Sequence, residues 1–230
     1  MSPYLSLIIP VLNEADGIHA ALQQLQPLRA RGHEVILVDG GSTDGTTALA
    51  ADLTDKIITT RPGRAAQMNS GAAAARGQVL LFLHADTRLP DDCEHLLAAT
   101  LGDVPEGWGR FNVQLSGDHG LFRIIGFCIN LRSRLSGIAT GDQAIFVSRG
   151  LFVKAGGYPQ IALMEDIALS KKLLTYQRPH CLSARVVTSS RRWRQYGILK
   201  TILLMWWLRA RYFFGTDPEQ LAKAYYKKSM

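Results

Sequence analysis

The chain has 230 residues, enough to bury a sizeable core, and its 47% hydrophobic and 20% charged content excludes a disordered chain. Its net charge of +7 is lopsided: from Arg185 to the end there are ten Lys/Arg against two acids, whereas the first 184 residues carry 16 against 17. No basic stripe interleaved with aromatics runs through the main body, which argues against a nucleic-acid binder and for an anionic surface or acceptor near the tail.

In chain order, Leu5 to Ile9 is a short apolar run closed by Pro10 and reads as a strand. It has neither the basic flank nor the long apolar stretch of a signal peptide, so a cytoplasmic setting is expected. The odd, scattered Cys93, Cys128 and Cys181 fit reduced thiols there. Apolar positions Ile18, Ala21, Leu22, Leu25 and Leu28 predict one helix over 15–31, ended by Gly32. Glu34 to Val38 is a second strand, followed by the turn-rich Asp39-Gly-Gly-Ser-Thr-Asp-Gly45. A helix over 46–53, a strand over 56–59, an alanine-rich helix over 65–76 and a buried strand over 78–83 come next. Strands without polar alternation, separated by helices, predict an α/β fold: a mostly parallel central sheet with helices on both faces. Ligands of such sheets sit beyond the carboxyl ends of the strands, where Asn13-Glu14, Asp39 to Asp44 and His84-Ala85-Asp86 fall. The stretch from Trp108 to Gly157 is Gly-rich and less regular, with one strand signal at 144–147; a helix is expected to begin near Met164-Glu165-Asp166.

Each unusual cluster admits two readings. The Asp39–Gly45 turn can face a nucleoside with backbone N–H groups and carboxylates, or be a strand-to-helix turn with Ser42 or Asp44 as cap. Asp86 at a strand end suits a hard divalent cation, or begins a turn. Glu165-Asp166 offers a general base, or two acids stabilised by a helix N-terminus. Arg64 can reach a phosphate, or lie solvated on the surface.

Order and spacing are more specific than any one cluster. Leu7-Ile-Ile-Pro-Val-Leu-Asn-Glu14, Val35-Ile-Leu-Val-Asp-Gly-Gly-Ser-Thr-Asp-Gly-Thr46, Leu80-Leu-Phe-Leu-His-Ala-Asp-Thr-Arg-Leu-Pro90 and Glu165-Asp166 together resemble the family 2 glycosyltransferases of the Rossmann-like GT-A fold. The resemblance covers roughly residues 4 to 195. It is nearest to a bacterial His-x-Asp subgroup named for arsenosugar biosynthesis or radical-SAM/selenodomain association.

The resemblance implies a nucleotide-diphosphate sugar donor, often UDP-linked, a hydroxyl acceptor, Mg²⁺ or Mn²⁺, and inverting transfer. It places Pro10, Val11, Leu12 and Glu14 along the nucleoside, Asp39 and Gly41 near the base, Arg64 near the phosphates, and His84, Ala85 and Asp86 at the diphosphate with Asp86 on the metal. Gly141, Asp142 and Gln143 would line the sugar and acceptor side, and Asp166, with Glu165 beside it, would be the catalytic base. Two positions depart from the family pattern: Gly40 replaces the second acid of the usual Asp-Asp-Gly-Ser turn, and His84 replaces the first acid of Asp-x-Asp. Rival readings are a catalytically degenerate nucleotide-binding protein and a nucleotidyltransferase; the latter usually places a Gly-rich phosphate loop where Pro10 to Glu14 stand.

The expected division is a transferase domain over 1–190 and a basic, apolar helical tail over 191–230. The run from Ile198 to Leu208, 11 residues, is too short for a bilayer needing about 20. The tail is therefore an acceptor-site lid, a homodimer contact, or a membrane-surface element that would place the protein at the inner face of the membrane.

Overall fold

The structure, a computed structural model, describes residues 4–102 and 106–227; the outermost residues of the expected division, 1–3 and 228–230, lie outside the described residues. In chain order the elements are β1 (Leu5–Val11), α1 (Ala15–Gln23), α2 (Gln26–Ala30), β2 (Glu34–Asp39), α3 (Thr46–Ala50), β3 (Lys56–Thr59), α4 (Arg64–Ala74), β4 (Val79–Phe82), β5 (Thr87–Arg88) and α5 (Cys93–Leu101). They continue with β6 (Trp108–Leu115), α6 (Gly120–Ser136), β7 (Phe146–Ser148), α7 (Arg149–Lys154), α8 (Glu165–Leu174), β8 (His180–Thr188), α9 (Arg191–Tyr196), α10 (Ile198–Phe213) and α11 (Pro218–Lys227).

The eight strands form one sheet in the order β3-β2-β1-β4-β7-β6-β8-β5. The half built from β3, β2, β1 and β4 is parallel, and β7 runs antiparallel to both β4 and β6. β1, β2 and β4 are the apolar runs of the sequence: buried on both faces, they separate two core clusters. Ile9 and Leu37 look into the cluster shared with α1 and α5, whereas Ile8 and Val38 look into the cluster shared with α4.

Two local features fix this half of the sheet. Glu34, its side chain fully buried, accepts hydrogen bonds from Ser6 Oγ at 2.7 Å, Arg76 N at 2.9 Å and Arg76 Nε at 3.0 Å, and pairs with Lys56 at 3.3 Å. That set ties together the starts of β1, β2 and β3, and it satisfies a charge that would otherwise be costly to bury. Gly71 lets α4 lie directly on the sheet: a Cβ there would be 2.4 Å from Ile8 Cγ2 and 2.9 Å from Val38 Cγ2.

The single helix expected over 15–31 is two. Pro27 stands in the first turn of α2, where its missing N–H costs nothing; in the interior of a continuous helix it would remove a bond and clash with the preceding turn. The alanine-rich helix starts at Arg64, one residue early, after Gly63 at φ +134°. Within the Gly-rich middle the structure adds an eight-residue strand and a 17-residue helix, β6 and α6, that the sequence pattern did not announce.

Candidate active site

Strand order decides the site. Because β1 lies between β2 and β4, Asp39 at the end of β2, Glu14 just after β1 and Asp86 just after β4 stand at three neighbouring carboxyl ends. The loops there are cross-tied. Gln67 of α4 donates to the carbonyls of Val11 at 2.7 Å and Val38 at 2.8 Å, and Gly40 N donates to Val11 O at 2.9 Å. Glu14 N donates to Thr46 Oγ1 at 2.9 Å, Ala15 N to Asp44 Oδ2 at 3.0 Å, and Thr43 N to Asn13 Oδ1 at 2.9 Å.

These contacts sort the acids of the first turn. Asp44 holds the start of α3, accepting from Thr46 N at 3.0 Å as well as from Ala15, and these bonds, led by the Thr46 hydroxyl, hold its carboxyl below the usual range. Asp39 is buried and accepts from Gly41 N at 3.1 Å and Ser42 N at 3.0 Å. Gly40 has a local reason to be glycine, since its Cβ would lie 3.2 Å from the amide of Gln67.

A cavity of about 320 Å³ opens beside Asp86. Glu14, Arg64, His84, Asp86, Gly141, Asp142, Glu165 and Asp166 all line it. Pro10, Val11, Leu12, Asp39 and Gly41 are not in its lining: they stand on a ledge along the ends of β1 and β2, where Leu12 and Gly41 are exposed, whereas Asp39 is buried and the Val11 side chain packs in the core. Ala85 packs against the core. Gln143 is fully buried and closes the 3-10 turn Gly141–Gln143, its Oε1 accepting from Thr140 N at 3.1 Å. The structure thus brings Asp86 and Asp166 into one cavity and sets Asp39 one strand beyond Glu14.

Backbone strain concentrates here. Among the described residues, the non-glycine positions with positive φ are Asn13 (53°), Ala144 (46°) and Met164 (69°). They adjoin Glu14, the Gly141–Gln143 turn and the Glu165-Asp166 pair respectively. Such conformations cost of order 1–3 kcal/mol each and persist where surrounding structure enforces them.

The two acids of α8 differ in how they are held. Asp166 accepts from Gly141 N at 2.9 Å and from Ile167 N at 2.7 Å, which fixes its carboxylate toward the turn. Burial raises its pKa, and these two bonds pull it back down. Glu165 is buried, and burial followed by the Asp166 charge pushes its pKa up to about 7. His84 sits against Gly141, whose Cβ would come within 2.6 Å of Nε2. Burial, then the Arg64 cation, drive the imidazole down to about 3, so it is neutral at physiological pH. Asp86 accepts a weak bond from Thr87 Oγ1 at 3.4 Å. Burial raises its carboxyl and the Arg191 and Arg64 cations oppose that rise.

Residues that sequence reasoning did not assign complete the cavity. The pairing of β5 with β8 sets Thr87 opposite Thr188, and Ser189 N donates to Asp86 O at 3.1 Å. That brings Arg191 alongside, 3.5 Å from Glu14. From the tail, Thr201, Met205, Leu208 and Arg209 of α10 and Tyr225 of α11 also reach the cavity. The tail is anchored by Leu208, Leu221 and Ala222 packed on Leu163, Met164 and Ile167. The basic composition of the tail was the one signal that could have found these residues. Among the described residues no group of three His, Cys, Asp or Glu side chains is placed to hold a metal by itself, and no helix is long and apolar enough to cross a membrane.

Residues 6–106 match the family model described as Glycosyl transferase family 2. A PGL/p-HBAD biosynthesis glycosyltransferase of Mycobacterium bovis (strain BCG / Pasteur 1173P2) is 35% identical over 173 residues, covering 68% of this chain and 64% of that protein. Over these stretches the chain is similar to glycosyltransferase family 2. The chain spans less than two thirds of that relative's length. In fold it is similar to a mannosyltransferase from Pyrobaculum calidifontis in complex with GDP-Man and Mn²⁺, at 21% identity and TM-score 0.61 over 81% of this chain and 57% of that one. It is also similar to glucosyl-3-phosphoglycerate synthase from Mycobacterium tuberculosis in complex with Mn²⁺, UDP and glucosyl-3-phosphoglycerate, at 18% identity and TM-score 0.57 over 80% and 70%. The architecture, a mixed α/β sheet with helices and a helical C-terminal region, is similar to the GT-A fold.

Proposed function

We propose that the chain is an inverting glycosyltransferase that moves a sugar from a nucleotide-diphosphate sugar, UDP-linked by our reading, to a hydroxyl acceptor. The observation that carries this reading is the cavity whose lining holds Asp86, His84 and Arg64 together with the Glu165-Asp166 pair. The ledge of Pro10, Val11, Leu12, Asp39 and Gly41 would take the nucleoside, and Arg64 and Arg191 the diphosphate. Asp86 fits a divalent cation of the Mg²⁺ or Mn²⁺ kind. Its carboxylate is nearly free of protein donors, and such ions are commonly held by one or two carboxylates with the rest of their shell from phosphates and water. When bound, the cation would offset charge on the departing diphosphate.

Asp166 is the base in this reading. Fixed by two backbone N–H groups, it would take the proton of the acceptor hydroxyl as that oxygen bonds to the anomeric carbon and the bond to the diphosphate breaks on the opposite face. Glu165 keeps the pair short of a second full charge near neutrality. Neutral His84 would act toward the ribose or the cation without adding negative charge, as the His-x-Asp pattern suggests. Gly141 and Asp142 would border the acceptor, and α10 would roof it. A thermal-shift screen of nucleotide sugars with and without Mn²⁺ tests the reading: one UDP-sugar should raise Tm in a Mn²⁺-dependent manner, and indifference to every donor contradicts it.

A further inference from the structure

α6 and α10 each bury one face and leave the other uncovered. On α10 the inner face, Thr201 and Leu208, is buried, while Leu199 (71% exposed), Leu203, Trp206 (67%) and Phe213 (77%) line up at helical spacing on the outside, with Phe214 next to them. On α6 the inner face holds Phe122 and Ile125, while Ile124, Phe127 (66%), Leu131 and Leu135 (70%) form an outer stripe. The two helices are neighbours: Phe122 and Ile125 pack in one cluster with Trp193, Ile198 and Ile202. Isolated exposed apolar residues are ordinary, but two adjoining stripes of this length mark an interaction surface.

Charge selects the partner. α6 and α10 together contain six Lys/Arg and no Asp or Glu. Arg209 turns into the cavity and Arg132 is half-buried, but Arg123, Arg134, Lys200 and Arg211 are exposed beside the stripes. A groove of about 750 Å³ along α6 adds Arg185 to Arg123 and Arg134, three cations against the single acid Asp118 in its lining. Trp, Phe and Leu on one helix face flanked by Lys and Arg is the composition of a helix lying in a membrane interface, where anionic lipid attracts the cations near the surface.

We infer that α6 and α10 form a docking surface for an anionic lipid bilayer, with the outer stripes in the headgroup region and the four exposed cations against acidic lipid. The inner face of α10 lines the candidate active site, so this surface sets the cavity close to the membrane plane. The inference stands on exposed residues outside that cavity and survives if the proposed transfer does not.

The test is co-sedimentation of the full chain with vesicles of phosphatidylcholine alone and with about one third phosphatidylglycerol, read together with the tryptophan emission maximum of the parent against that of Trp206→Phe with Trp207→Phe, which isolates the share of those two rings. Binding and a blue shift are expected with the anionic vesicles, and little of either with phosphatidylcholine. Leu203→Ser with Trp206→Ser, Ile124→Ser with Phe127→Ser, and Lys200→Glu with Arg211→Glu should each weaken binding by about tenfold or more while melting as the parent does. Failure to bind either vesicle overturns the inference, as does binding that all three pairs leave unchanged. Self-association that the same substitutions abolish, without vesicle binding, would assign the surface to a second copy of the chain instead.

Discussion

The backbone N–H of Gly141 donates to Asp166 at 2.9 Å, and the same glycine gives His84 its place, since any side chain at 141 would meet the imidazole. One residue therefore sets two groups of the cavity, across 25 positions of sequence in one direction and 57 in the other. Gly141→Ala should lower sugar transfer by on the order of 10²-fold, the scale of a small misplacement in an active site. It should leave the melting temperature nearly unchanged, because the contact is at a cavity wall. Equal transfer rates for variant and parent would refute the positioning role.

Glu165 links the site to stability. Its folded pKa, about 7, lies above the ordinary 4.5. Between those values the folded chain keeps a proton that the unfolded chain releases, so this group's contribution to stability falls as pH rises. Glu165→Gln cannot ionise. Relative to the parent it should gain stability from pH 5 to pH 8 in denaturant melts; parallel pH profiles would contradict the shift.

Gly71 tests the packing that carries the site. A methyl group there has no space against Ile8 and Val38, so Gly71→Ala should cost about 1–3 kcal/mol through overpacking, despite the better helix propensity of alanine. Denaturant unfolding measures it, and a neutral or stabilising result would mean that α4 can lift from the sheet.

The first hundred residues were legible because β1, β2 and β4 are unbroken apolar runs whose turn residues and charged residues fall at their carboxyl ends. The middle was not. β6 carries Arg110 fully buried, satisfied by Ser133 Oγ at 3.1 Å and Asn130 O at 3.1 Å on α6, which breaks the apolar pattern of a strand. α6 in turn contains Gly126, which a strand requires: its Cβ would lie 3.1 Å from Val113 O. Each reads poorly alone because each is built for the other. The candidate acids at Asp86 and Asp166 could be named from spacing, but Arg191 and Arg209 could not, since only the β5–β8 pairing and the docking of α10 bring them in. Over 15–31 the apolar spacing continues unbroken across Pro27, so the pattern predicts one helix where the chain forms α1 and α2.

The most direct test of the central claim is release of nucleoside diphosphate from the donor found by thermal shift, measured with acceptor in Mn²⁺ and in EDTA, for the parent, Asp86→Ala and Asp166→Asn. The parent should release it in Mn²⁺ only. Asp86→Ala should lose both donor binding and turnover, whereas Asp166→Asn should bind donor nearly as the parent does and turn over at least 10²-fold more slowly. Turnover that persists in both variants, or in EDTA, would contradict it.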